Sequence, residues 1–133
     1  MAISVAVFAA FAAFAGNVVY VAPDGSNTSP YDTWDKATTN LQTALNAAVP
    51  GSKIVLKSGL HETRVTVDMA SDITISGETD DPTATELRRI CVVSNSGGVY
   101  RTFHMHSSGA RVQNLTISGG RIDSVTSTFG ANV

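Results

Sequence analysis

His104 and His106 are separated by one residue, and in an extended segment that spacing sends both imidazoles to one side while Phe103 and Met105 face the other. Two imidazoles on one face begin a zinc site, but a functional centre needs at least a third ligand, and His61 is the remaining histidine. The expectation is a pair of solvent-facing histidines with no resident metal and no other cofactor. Glu78, Asp80 and Asp81 crowd into one turn ahead of Pro82 and make calcium the ion to consider. Calcium takes about six to eight oxygens from a shaped site, so a solvated turn is expected there. Asp68 with Asp72, or Asp123 with a partner, would serve glycoside hydrolysis only if folding set two carboxylates across a groove. Arg101, Arg111 and Arg121, together with Arg88 and Arg89, are the cations that stacked strands would align in a row. Such a row suits uronate or sulfate groups through bidentate contacts. The candidate ligand-binding residues are thus Arg101, Arg111, Arg121, His104 and His106, and no residue is assigned a catalytic role.

Other chemistries are absent from the pattern. There is no glycine-rich phosphate loop, no Gly-x-Ser-x-Gly elbow and no Cys/His pair at a useful spacing. Cys91 is the single cysteine, which rules out an internal disulfide, and its setting in Ile90-Cys-Val-Val93 reads as a buried inert thiol. The 133 residues make one domain, and an apolar content of 43% is enough to fill its core. With 15% charged residues and a net charge of −2, the chain lacks the basic field that nucleic acid requires. Abundant Ser, Thr, Asn and Gly suit the turns of a secreted β-protein. Asn27-Thr-Ser29 and Asn114-Leu-Thr116 match glycosylation acceptors, with Asn114 expected at a corner.

Three segments must position these residues. Residues 1–15 form an uncharged apolar run ending in Ala13-Phe14-Ala15, which reads as a signal peptide and implies a secreted or cell-surface location. Residues 16–52 read as a strand at Asn17–Ala22, a turn-rich loop at Pro23–Pro30, and a helix of about 16 residues opening at Asp32 or Thr33. Trp34, Ala37, Leu41, Ala44, Leu45 and Ala48 then fall on one apolar stripe, with Trp34 packed in the core and Asp35 in the first turn. Such a helix would cover the end of a stack of strands.

From residue 53 the chain reads as winding. Extended runs fall at Ile54–Leu56, Val65–Val67, Ile73–Ile75, Ile90–Val93, Val99–Met105 and Val112–Ile117, broken by Gly, Ser, Asn and Asp. Asp72-Ile-Thr-Ile-Ser-Gly77 recurs as Asn114-Leu-Thr-Ile-Ser-Gly119, displaced by 42 residues, which equals two turns of a solenoid at about 21 residues per turn. Pro50-Gly-Ser-Lys-Ile-Val-Leu-Lys-Ser-Gly-Leu-His-Glu62 resembles the first-coil segment of right-handed parallel β-helix proteins with the pectin-lyase-like fold. Tyr20-Val-Ala-Pro-Asp-Gly-Ser26 and the two Thr-Ile-Ser-Gly segments are similar to parts of the same family, with His61 and Ser58 where the family usually has Tyr and Pro. Gly119-Gly-Arg-Ile122 is similar to the Gly-Gly-Ala-Ile repeat of polymorphic outer-membrane surface proteins.

The resemblance implies an all-β, right-handed parallel β-helix with an N-terminal capping helix, in which residues 53–133 make about two coils of a truncated solenoid. It implies an exported module for adhesion or for binding polysaccharide or a cell-surface glycan, without catalysis by this chain alone. The rival expectation is the N-terminal part of a polysaccharide lyase or glycoside hydrolase with catalytic coils beyond residue 133. An open C-terminal coil would be a site of self-association.

Overall fold

The computed structural model describes residues 16–90 and 98–123. The expected signal peptide (1–15), the strand at 91–93 with Cys91, and the C-terminal segment from 124 lie outside the described residues. Among the described residues, eleven short strands and one helix follow in order. They are β1 (Val18–Val21), α1 (Leu41–Ala47), β2 (Lys53–Leu56), β3 (Gly59–Thr63), β4 (Val67–Met69), β5 (Thr74–Gly77) and β6 (Thr85–Arg89), then β7 (Gly98–Tyr100), β8 (Phe103–Met105), β9 (Arg111–Gln113), β10 (Thr116–Ser118) and β11 (Arg121–Asp123).

Consecutive strands among these do not form hairpins. β1, β2, β5 and β9 make a four-stranded sheet, β10, β6 and β3 a second sheet, and β4 with β8 a third, with parallel pairing throughout. The chain visits these sheets in a fixed order: β2, β3 and β4, then β5, β6 and β8, then β9 and β10. Lys53 pairs with Thr74, 21 residues on, whereas Thr74 pairs with Arg111, 37 residues on. The second circuit is longer because the turn at 78–84 and the segment holding β7 are inserted into it. β7 pairs antiparallel with β11, across the three intervening strands β8, β9 and β10, a departure from the purely parallel expectation.

Period-two alternation explains the core. In the four-stranded sheet Val19, Ile54, Ile75 and Val112 stand in register, the first three with no exposure, so one apolar column crosses all four strands. Val21 and Leu56 form a second inward pair. In the other sheets Leu87, Val67 and Met69 face the same interior. Exposure rises in the later strands: Met105 and Ile117, in register with fully buried Met69 and Leu87, are 44% and 48% exposed.

The lead-in differs from expectation. The helix starts at Leu41 and runs seven residues, because Asn40 caps it by accepting from the N–H groups of Gln42 (2.8 Å) and Thr43 (3.2 Å). Residues ahead of the cap are held in another conformation. Thr38 bridges to Val21 and exchanges backbone hydrogen bonds with Tyr20 and Ala22, and Asn27 Oδ1 accepts from the Thr39 N–H at 2.8 Å. The β-branched Thr38-Thr39 pair satisfies its backbone better in this ladder than in a helix. Trp34 therefore lies outside the helix, half-buried, with its ring 4.5 Å from that of Tyr20, and Asp35 is not in a helical first turn. The remaining stripe holds: Leu41, Ala44 and Leu45 are buried, and α1 packs on β1 and β4.

Two further differences follow from weak local signals. Gly59 opens β3 rather than only turning the corner; its φ of +123° is one that side chains with a Cβ rarely adopt. β6, Thr-Glu-Leu-Arg-Arg, has one apolar residue, yet Thr85, Leu87 and Arg89 all point inward. The repeated Thr-Ile-Ser-Gly segments lie in different sheets, on β5 and β10, so their 42-residue displacement is not two equal turns.

Candidate functional site

The parallel β4–β8 pair places Asp68 directly beside His104. Val67 and Met69 point inward from β4, so alternation sends Asp68 to the outer face, and His104 stands there too. His106 follows β8 by one residue, and its backbone N–H donates to the Met69 carbonyl at 3.0 Å, which extends the ladder and returns its side chain to the same face. His106 Nε2 lies 2.6 Å from Asp68 Oδ1, and His104 Nδ1 lies 3.7 Å from the same oxygen. The two imidazole centroids are 3.9 Å apart, tilted by 50°. One ligand atom from each of the three residues falls within 4.8 Å of the others, and all three residues are exposed. The helix helps set this group: Gln42 Oε1 accepts from the Asp68 N–H at 3.1 Å, and Gln42 Nε2 donates to Asn46.

The register thus sets a carboxylate from the neighbouring strand beside the His-x-His pair. Sequence reasoning placed Asp68 with Asp72 instead. No local signal pairs residues 68 and 104, because the register depends on the length of an irregular circuit.

The other candidates are not brought together. Asp72 Oδ1 accepts from the Ser107 hydroxyl and from the Gly109 N–H at 3.2 Å, at a corner apart from Asp68. Glu78 accepts from the Ser58 N–H, Asp80 from the Asn114 side chain, and Asp81 from Thr83. These three carboxylates turn to three different partners rather than converging as a calcium cage does. The Thr83 hydroxyl and N–H hold the Asp81 carboxyl below its ordinary pKa. Asn114 has φ +56° at the corner between β9 and β10, as the sequence indicated.

The arginines do not form one row. Arg101 precedes β8, with its carbonyl accepting from the Thr66 hydroxyl; Arg111 opens β9 in the four-stranded sheet; Arg121 opens β11 in the antiparallel pair. Arg111 has another cation in its rank. Lys53, Thr74 and Arg111 occupy successive register positions on β2, β5 and β9, with Lys53 and Arg111 exposed. On the second sheet Arg88 pairs with Glu86 at 3.1 Å. The Ser118 hydroxyl also donates to Glu86, and this bond foremost, with the Arg88 contact second, holds the Glu86 carboxyl below its ordinary pKa.

His61 is a different kind of histidine. It is 6% exposed, and its Nε2–H donates to the Lys57 carbonyl at 2.7 Å, at the rim of an open groove of about 380 Å³ lined also by Pro23, Thr39, Leu60 and Glu62. Burial pushes its pKa below the ordinary value of 6.5. In the unfolded chain the imidazole charges near its ordinary value, so its contribution to stability is complete above that pH. The contribution is lost as pH falls from there toward the lowered folded value, at up to about 1.4 kcal/mol per pH unit. His61→Gln keeps an N–H donor and cannot titrate. Urea unfolding at pH 7.5 and 5.5 should show a smaller loss on acidification in the variant than in the parent; equal losses would contradict a buried neutral His61.

Comparison of the chain with protein-family models, curated proteins and solved structures finds no match.

Proposed function

We propose that the chain is an exported right-handed parallel β-helix module that binds acidic polysaccharide at a cell surface or in the extracellular space, without turnover of its own. The observation that carries this reading is the ordered return of the chain to the same three parallel sheets, an arrangement that stacks outward side chains at strand spacing. Lys53 and Arg111 stand two strand spacings apart, about 10 Å, on the outer face of the four-stranded sheet. An ammonium and a guanidinium at that separation suit carboxylate or sulfate groups about two sugar units apart on a linear glycan. Self-association belongs to the same proposal, since exposed Met105 and Ile117 continue inward-facing positions and leave apolar surface for a second copy.

The test uses the purified chain on immobilised polygalacturonate, with neutral dextran as control. Retention on the acidic polymer alone, weakened by salt and by Lys53→Ser with Arg111→Ser, supports the reading. No retention, equal retention on dextran, or release of unsaturated uronate overturns it. Light scattering on the same preparation should give a mass above that of the monomer, and a monomer at every concentration would remove the self-association.

A further inference from the structure

We propose that Asp68, His104 and His106 bind one divalent transition cation of the zinc class on the outer face of the β4–β8 pair. Two imidazole nitrogens and a carboxylate oxygen are a donor set that borderline ions accept, while calcium and magnesium select oxygen ligands. A tetrahedral zinc with bonds near 2.0–2.2 Å spaces its ligand atoms about 3.3 Å apart. The 2.6 Å between His106 and Asp68 must therefore open, and the 3.7 Å between His104 and Asp68 must close, by less than an ångström each. Exposed side chains make such adjustments by small rotations. Water completes the coordination.

The backbone that carries the ligands is fixed beforehand. Asp68 and His104 are register partners, His106 is held by its hydrogen bond to Met69, and Asp68 by its bond to Gln42. A ligating imidazole nitrogen must be free of its proton, so cation and proton compete for such a site. With two neutral imidazoles and one carboxylate, the ligands carry −1 and leave the bound ion a net +1. Residues 68 and 104 meet only in the folded chain, so the ion ties two successive circuits together and binds the native state in preference to the unfolded one. This inference does not rest on the glycan reading, and either can fail without the other.

The experiment titrates the full chain, prepared without a histidine tag and stripped with chelator, with zinc chloride. Calorimetry, histidine ring NMR signals and the thermal midpoint are followed. One ion per chain is expected, with ring signals of His104 and His106 shifting, those of buried His61 unmoved, and a raised midpoint. Binding should weaken on going from about pH 7 to about pH 5. Asp68→Asn and His106→Gln should each weaken it about tenfold or more. Both sites are exposed, and unchanged circular dichroism confirms that the variants fold. Calcium chloride should leave the ring signals in place. No saturable uptake, uptake that both variants leave unchanged, or an equal response to calcium overturns the proposal.

Discussion

Ile75→Ala is expected to lower the unfolding free energy by about 2–5 kcal/mol, toward the upper end of that range. Ile75 has no exposure and stands between Ile54 and Val112 in the apolar column of the four-stranded sheet. Its strand is bonded on both sides, so neighbours held at strand spacing cannot close over the lost methylenes and a cavity remains. Thr74→Ala, one residue away on the outer face, should change stability by no more than about 0.5 kcal/mol. The contrast is read from urea midpoints at constant m. A loss below about 1 kcal/mol at Ile75 would mean that the column is not core.

Gly77→Ala is the second large effect. A Cβ on Gly77 would lie 2.0 Å from the backbone carbonyl oxygen of Asn114 and 3.1 Å from the Thr85 hydroxyl. Backbone, not a flexible side-chain end, blocks the methyl group, so β5 or the corner after β9 must move. The expected cost is about 1–3 kcal/mol, as for overpacking a filled interior. The same argument applies to the other copy of the motif, because a Cβ on Gly119 would come within 2.3 Å of the Arg89 carbonyl oxygen. Each Ile-Ser-Gly ends where another segment's backbone passes over the chain, and that explains the recurrence better than an equal turn length does. A thermal midpoint unchanged by Gly77→Ala would contradict the close approach of β5 to the Asn114 corner.

What the sequence discloses of the fold follows from how local its signals are. Lys53-Ile-Val-Leu56 is apolar, β-branched and bounded by Gly, so its strand is legible, as are β5 and the buried stripe of Leu41, Ala44 and Leu45. The start of the helix is not legible, because the apolar period continues through Trp34 and Ala37 while Asn27 and the Tyr20–Ala22 ladder, distant in sequence, claim Thr38 and Thr39. β6 was illegible because inward Thr85 and Arg89 break the apolar alternation. His104 and His106 were visible as a pair by spacing alone. Asp68 was not visible as their partner, since nothing in a single sequence gives the register between circuits of unequal length. Nor was the Lys53–Thr74–Arg111 rank, for the same reason.

The most direct test of the architecture is the set of interstrand NMR contacts. The account predicts amide-to-Hα contacts of parallel type joining the segments around Ile54 and Ile75, Ile75 and Val112, His61 and Leu87, and Val67 and Phe103. Short Hα-to-Hα contacts across those pairs, or contacts pairing β2 with β3 as a hairpin, would show antiparallel strands and contradict it.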